Sequence, residues 1–292
     1  MKTILAATDF SRPSGRALAR AAQLARAHGA ALHLLHVPSH GRWSQGTGMF
    51  SAYFGDGNAL SVERDRALLE RRAAELAKRY RVRPECHVVP GKPAEEIAAF
   101  ATAREADLVV VAARGTGGLR LGSVGGTALK VLWSSLVPVL VVRTAVDQPY
   151  RSALLATDLS ERSRHVAEVT LDMLPKASLT LLHAFRGEFE TALELVGAPL
   201  DSLRLYRADE SKAAAERLDA HWKALKAERR RAVRRQLVHG HAVPAVLKAA
   251  GELDAGLVVL GKHAGPHWEE LVLGSVVQNL IQQLRTDVLV VP

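Results

Sequence analysis

The chain has 292 residues, 48% of them hydrophobic and 24% charged, with a formal charge of +9. That length favours two ordinary domains over one, and the aliphatic content is enough to build real cores. No apolar run reaches membrane-spanning length, and the opening "MKTILAATDFS" is too short in its apolar part for a secretory signal. The lone cysteine, Cys86, excludes an internal disulfide framework and fits a reducing, cytoplasmic setting.

In chain order, short aliphatic runs lie at 2–7, 31–37, 85–89, 107–112 and 138–142. They lack polar alternation, as strands buried on both faces do. Stretches of helical spacing separate them, at 14–28, 61–80, 93–104 and 125–134. Cys86, in the third strand, is expected in the core. The segment 38–58, rich in glycine and aromatics, reads either as a lid over the sheet rim or as a surface loop. The second half repeats the first. "ILAATDFSRPS" matches "LLATDLSERS", with Asp9 on Asp158 at a shift of 149; "LHLLHV" matches "LTLLHA" at 147. Gly91 falls on Gly240, "DLVVVAARG" on "AGLVVLGKHA" and "PVLVV" on "DVLVV", each again at 149. A period this long is a duplicated domain rather than a solenoid. The expected fold is therefore α/β, with two tandem, doubly wound, five-stranded parallel-sheet domains of Rossmann-like type. Their expected bounds are 1–146 and 147–292, related by a pseudo-twofold.

In such sheets the ligand loops leave the carboxyl ends of the strands. Here they start at Asp9, Val37, Pro90 and Ala112, and at Asp158, Ala184, His239 and Gly261. The loop after the fourth strand of the second half reads "GKHAGPHWEELVLGSVVQNLI". Its Gly274-Ser275 is a helix entry, where amide hydrogens and the helix dipole hold a phosphate, or simply an N-cap. A second "GS", Gly122-Ser123, looks like its twin. The flanks decide the register: Ala112 to Pro138 and Gly261 to Asp287 are both 26 residues apart. Placing Gly122-Ser123 on Gly274-Ser275 needs a three-residue gap inside a helix, which rotates the apolar face by about 300°. Without a gap, Gly115 falls on Ala264, Gly125 on Gly274, Gly126 on Ser275 and Thr127 on Val276.

With "ATDFS" and "ATDLS", the Gly91 and Gly240 turns, the two glycine loops and the terminal "VLVV" strands, the chain resembles a tandem universal stress protein, twice over nearly its whole length. Nucleotide-binding members carry Gly-x2-Gly-x9-Gly-Ser/Thr after the fourth strand and an Asp after the first. The resemblance implies an adenine nucleotide such as ATP, with Mg2+ as its companion, and a role in stress response. It implies nucleotide contacts at Asp158, Ala184, Gly261, Ala264, Gly265, Gly274, Ser275 and Val276. The weaker set in the first half is Asp9, Val37, Ala112, Gly115, Gly125, Gly126 and Thr127. Each half departs from the pattern. The first has Ala112 for a glycine and Gly126 for the hydroxyl residue, with Thr127 one place late; the second has Ala264 for a glycine, with Gly265 next to it. The second half keeps more of the pattern, so nucleotide binding is expected mainly there. The rival readings are a nucleotide-free protein-interaction module and a binder of another, apolar ligand under 38–58 or 185–208. Asp9 and Asp158 also read as turn or helix caps.

His183, His239, His241, His263 and His267 fall near strand ends of the second half. His239, His241 and His263 are the weak metal candidates; no short spacing fixes them on one face, and rim histidines also simply line polar pockets. His33, His36 and His40 rank lower still, and His36 and His183 read as satisfied strand residues. Trp133 and Trp222 read as packing. No Ser-His-Asp or paired-carboxylate spacing supports an enzyme beyond weak ATP hydrolysis. The basic run "KAERRRAVRR" at 226–235 reads as a solvated helix face rather than a nucleic-acid surface. The terminal strands "PVLVV" and "DVLVV" are expected to pair within one chain, hiding two hydrophobic edges, and two chains to form a homodimer. Neither a membrane nor a nucleic acid is an expected partner.

Overall fold

The computed structural model describes residues 1–38, 55–115, 124–145, 148–225, 233–262 and 273–292. The chain divides into two compact units, Met1–Pro149 and Tyr150–Val291. The first runs β1 (Thr3–Thr8), α1 (Arg12–His28), β2 (Ala31–His36), α2 (Gly55–Tyr80), β3 (Pro84–Val88), α3 (Pro93–Ala103), β4 (Leu108–Ala112), α4 (Gly126–Ser134) and β5 (Val139–Val142). Its strands are parallel, in the order β3-β2-β1-β4-β5. The second runs β6 (Ser152–Ala156), α5 (Glu161–Met173), β7 (Ser178–Phe185), α6 (Glu190–Leu195), α7 (Leu200–Lys223), β8 (Arg234–His239), α8 (Ala242–Glu252), β9 (Leu257–Gly261), α9 (Ser275–Gln283) and β10 (Asp287–Val291). Its parallel order is β8-β7-β6-β9-β10.

The central strands are covered on both faces, which is why their sequences carry no alternation. Ile4, Leu5 and Ala6 of β1, and Leu257, Val258 and Val259 of β9, are fully buried. Each sheet reverses its strand order beside its first strand, between β1 and β4 and between β6 and β9. Such a reversal opens a crevice at the carboxyl ends of those two strands. The loops that leave β1 and β4, and β6 and β9, flank it.

Two expectations need correction at the outer strands. Cys86 is only half-buried, because β3 lies at the margin of the first sheet and is covered less fully than the centre. Arg234 and Arg235 do not continue a helix: they open β8, both exposed, and Arg235 bonds Asp219 of α7 at 2.6 Å. A strand with an open rim tolerates arginine, so charge alone did not mark the helix end. The rest of the basic run, 226–232, and most of the segment 38–58 lie outside the described residues. Trp222 is buried, whereas Trp133 on α4 is 48% exposed.

Candidate functional site

The turn from first strand to first helix is the same in both units, bond for bond. The Thr8 hydroxyl accepts from the Phe10 amide at 3.0 Å and meets the Ser14 hydroxyl at 2.9 Å. Asp9 Oδ1 accepts from the Ser11 amide at 3.1 Å, and Ser11 Oγ caps α1 by accepting from the Ser14 amide at 3.2 Å. In the second unit Thr157, Asp158, Leu159, Ser160 and Ser163 make the same four contacts at 3.0, 3.0, 3.0 and 3.2 Å. Phe10 and Leu159 both sit at left-handed φ, 61° and 63°. A side chain there costs about 1–2 kcal/mol; the threonine hydroxyl and the helix cap offset it. Below each turn a strand histidine donates Nδ1–H to the threonine carbonyl: His36 to Thr8 at 2.8 Å and His183 to Thr157 at 2.9 Å. Both histidines are therefore satisfied strand residues.

Asp9 and Asp158 thus cap their turns through Oδ1. In the first unit the other oxygen, Asp9 Oδ2, lies so close to the Gly115 backbone that any Cβ at 115 would overlap it. Here the structure brings two site candidates together. A glycine at 115 lets the carboxylate press against the loop after β4.

That loop closes onto its helix identically in both units. The Gly125 amide donates to the Ala113 carbonyl at 2.8 Å, and the Gly274 amide to the Lys262 carbonyl at 3.2 Å. Gly125 caps α4 and Gly274 caps α9; neither helix has a side-chain cap or an acidic residue in its first turn. The amides of such a turn are available to an anion. Ser275 is the first residue of α9 and Gly126 that of α4, followed by Val276 and Thr127. A Cβ at Gly126 would meet open space, so the backbone geometry does not require a glycine there. Ala112 and Gly261 end β4 and β9. Val37, buried, follows β2, while Ala184 still lies within β7. His263, Ala264, Gly265 and His267 lie outside the described residues, as do Gly122 and Ser123. One neighbour escaped the sequence reading. Lys262, the counterpart of Ala113, is 3% exposed, and burial lowers its pKa.

The two metal candidates that are described, His239 and His241, have other partners. His239 Nε2 bonds Glu190 Oε2 at 2.8 Å, and His241 Nε2 meets Arg186 at 3.2 Å. Glu190, buried at the start of α6, also accepts from Arg207 of α7 at 2.6 Å. Burial alone would raise its pKa, but the hydrogen bonds from His239 and Arg207 outweigh it and hold the carboxylate below its ordinary value. Arg186 and Arg207 both reach Glu194 as well, at 3.0 and 2.8 Å. This knot ties α6 and α7 to the carboxyl end of β8. Its members come from three elements and the turns after β7 and β8, and no local spacing announces the Arg207 and His239 partners of Glu190. Behind the turn after β6, His221 of α7 reaches Ser163 Oγ at 3.2 Å. Burial lowers the pKa of both His221 and His183.

Comparison with known proteins settles the family. The model of the universal stress protein family matches residues 1–143 and again 149–292. The chain belongs to the universal stress protein family. Relatives match one half at a time. A universal stress protein of Thermus aquaticus is 33% identical over 146 residues, 49% of this chain and 98% of that protein. Universal stress protein YxiE of Bacillus subtilis is 33% identical over 144 residues, 48% of this chain and 97% of that protein. A universal stress protein structure from Archaeoglobus fulgidus covers 99% of this chain and 97% of that one, with a TM-score of 0.67 at 18% identity. At that identity the likeness speaks for the fold. Among the described residues, no helix is long and apolar enough to cross a membrane.

Proposed function

We propose that this universal stress protein binds ATP or a related adenine nucleotide, mainly through its second half, as a cytoplasmic component of a stress response. The supporting observation is the start of α9: a bare glycine cap, no acidic residue in the first turn, and the Ser275 hydroxyl at its first position. Amides, helix dipole and hydroxyl together suit a phosphate at the carboxyl end of β9. Asp158, exposed at the end of β6, takes the ribose or base end. The site supplies no general base in this reading; it binds and senses. A Mg2+ ion would be held by the phosphates, water and the Ser275 hydroxyl.

A second reading has its own observation. Phe189, Leu195, Val196, Leu200 and Leu205 are all more than 60% exposed, on or beside α6 and α7. Large apolar side chains gathered on one short segment suit a protein-interaction module or an apolar ligand. Calorimetric titration with ATP separates the readings, together with mass spectrometry of small molecules released from the purified protein. Wild type is expected to bind, with binding lost in Gly274→Val and weakened in Asp158→Ala. Absence of both heat and bound nucleotide would refute the nucleotide reading. Loss only in Gly125→Val would move the site to the first half.

A further inference from the structure

His33 lies on β2 and Glu85 and His87 on β3. The parallel register pairs His33 with Glu85 and Leu35 with His87. Side chains alternate along a strand, so all three project from one face and Cys86 from the other. His33 Nδ1 is 3.1 Å from His87 Nε2 and 3.4 Å from Glu85 Oε2, and His87 Nε2 is 3.9 Å from Glu85 Oε2. Ligand atoms around a tetrahedral ion with bonds of about 2.0–2.1 Å stand roughly 3.3 Å apart. The three atoms therefore outline one face of such a tetrahedron.

A simple hydrogen bond between the imidazoles accounts for the shortest edge only. One proton lies between the two facing ring nitrogens, and Glu85 Oε2 stands beside both. A cation that displaces that proton takes all three atoms as ligands at once. Phe100 of α3 packs on both rings, with centroids 6.3 and 4.8 Å away, and restrains their rotation. The side chain of Glu85 is 62% exposed, which leaves a solvent side for entry and for a water ligand. Among the described residues, Arg104 and Arg66 are the cations close enough to act on this group. They disfavour imidazolium and weaken, without blocking, the hold on a divalent ion.

The second unit supplies an internal control. The equivalent register pairs Thr180 with Arg234 and Leu182 with Gln236. The fold is built there with no ligand at any of the three places, so the trio is not a requirement of the sheet. Among the described residues, His33, Glu85 and His87 are the one group able to hold a metal.

We propose that His33, Glu85 and His87 bind a divalent transition metal of zinc character, which clamps the marginal strand β3 to β2. Two imidazoles and a carboxylate are a donor set that zinc accepts, with water completing the shell. The test uses the full chain, stripped with chelator and titrated with zinc chloride by calorimetry, with cobalt(II) absorption as the second readout. Wild type should bind one zinc at this site, give the visible bands of low-coordinate cobalt, and melt higher with zinc than without. His87→Gln should weaken zinc binding by roughly 100-fold or more, beyond what loss of an outer-shell partner costs. His33 is buried and its replacement could unfold the sheet, so Glu85→Gln is the safer variant. It should melt like wild type without metal, yet lose most of the zinc-dependent rise. The proposal fails if stripped wild type takes up no zinc, or if Glu85→Gln and His87→Gln bind zinc and cobalt as wild type does.

Discussion

The two halves share a frame and differ in what hangs on it. The turn after the first strand, the strained residue within it, the serine cap and the glycine entry to the fourth-strand helix recur almost atom for atom. The departures concentrate in three places. Gly115 answers to Ala264 and Ala113 to Lys262. A single helix, α2, precedes β3, whereas α6 and α7, tied by Glu190, precede β8. The trio His33, Glu85 and His87 answers to Thr180, Arg234 and Gln236. The backbone geometry of the turns and the two aspartates are common to both halves; the residues at 113, 115 and the β2–β3 trio are not. That is the pattern of a duplicated scaffold whose two halves have diverged in side chains around a shared backbone.

The largest expected break in the comparison is Glu190→Ala. Removing the buried carboxylate takes the shared acceptor from Arg207 and His239; water reaches both of them, so the loss stays short of that for a fully buried pair. Hydrogen exchange should show lost protection in α6, α7 and β8, with α1 to β5 unchanged. Equal loss in the first half would show that the two units do not open independently. The same carboxylate sets an acid dependence. Its pKa is lowered on folding, so its contribution is complete above the ordinary 4.5 and disappears as pH falls through the depressed value. Acid melts of wild type and Glu190→Gln should converge below that point.

The next break is Gly115→Ala, which gives the first half the residue of the second. The new methyl meets the Asp9 carboxylate, so the loop or the aspartate must move. Gly115 is exposed and the clash is with the tip of the Asp9 side chain, so a modest cost, under about 1 kcal/mol, is expected as the carboxylate swings aside. In Ala264→Gly, which gives the second half the residue of the first, ATP affinity measured by titration should rise if the missing glycine limits the second half. An unstrained Gly115→Ala, melting like wild type, would show that the Asp9 contact is incidental.

How much of this was legible beforehand depends on whether a feature is local in sequence. The strands, the two turns and the register of Gly125 on Gly274 could be read directly, because aliphatic runs, caps and equal flank lengths are local signals. His36 and His183 could be read as strand residues for the same reason. The Glu190 knot and the His33, Glu85 and His87 trio could not. Their decisive pairings, His239 with Glu190 and His33 with His87, span 49 and 54 residues and form only through strand register and a helix that closes over the rim. Of the histidines ranked highest from sequence, His239, His241 and His263, the two that are described are held instead by a glutamate and an arginine. Arg234 and Arg235 misled in the opposite way, since a run of like charge marks a solvated surface without distinguishing helix from strand.

Effects of similar size test the part of the frame held in common. Ser11→Ala and Ser160→Ala each remove one helix cap and should each cost about 1 kcal/mol. The two caps have the same 3.2 Å bond to the third residue on, and the same left-handed residue before them. Hydrogen exchange at the first turn of α1 and of α5 should therefore rise by a similar factor in the two variants. The aspartates beside them still accept from the residue-11 and residue-160 amides, which alanine keeps. If one cap proves much more costly than the other, the turns are equal in geometry but not in load. The half with the costlier cap would then be the one whose turn is held taut by something beyond its own hydrogen bonds, and in the second half His221 on Ser163 is the contact that would supply it.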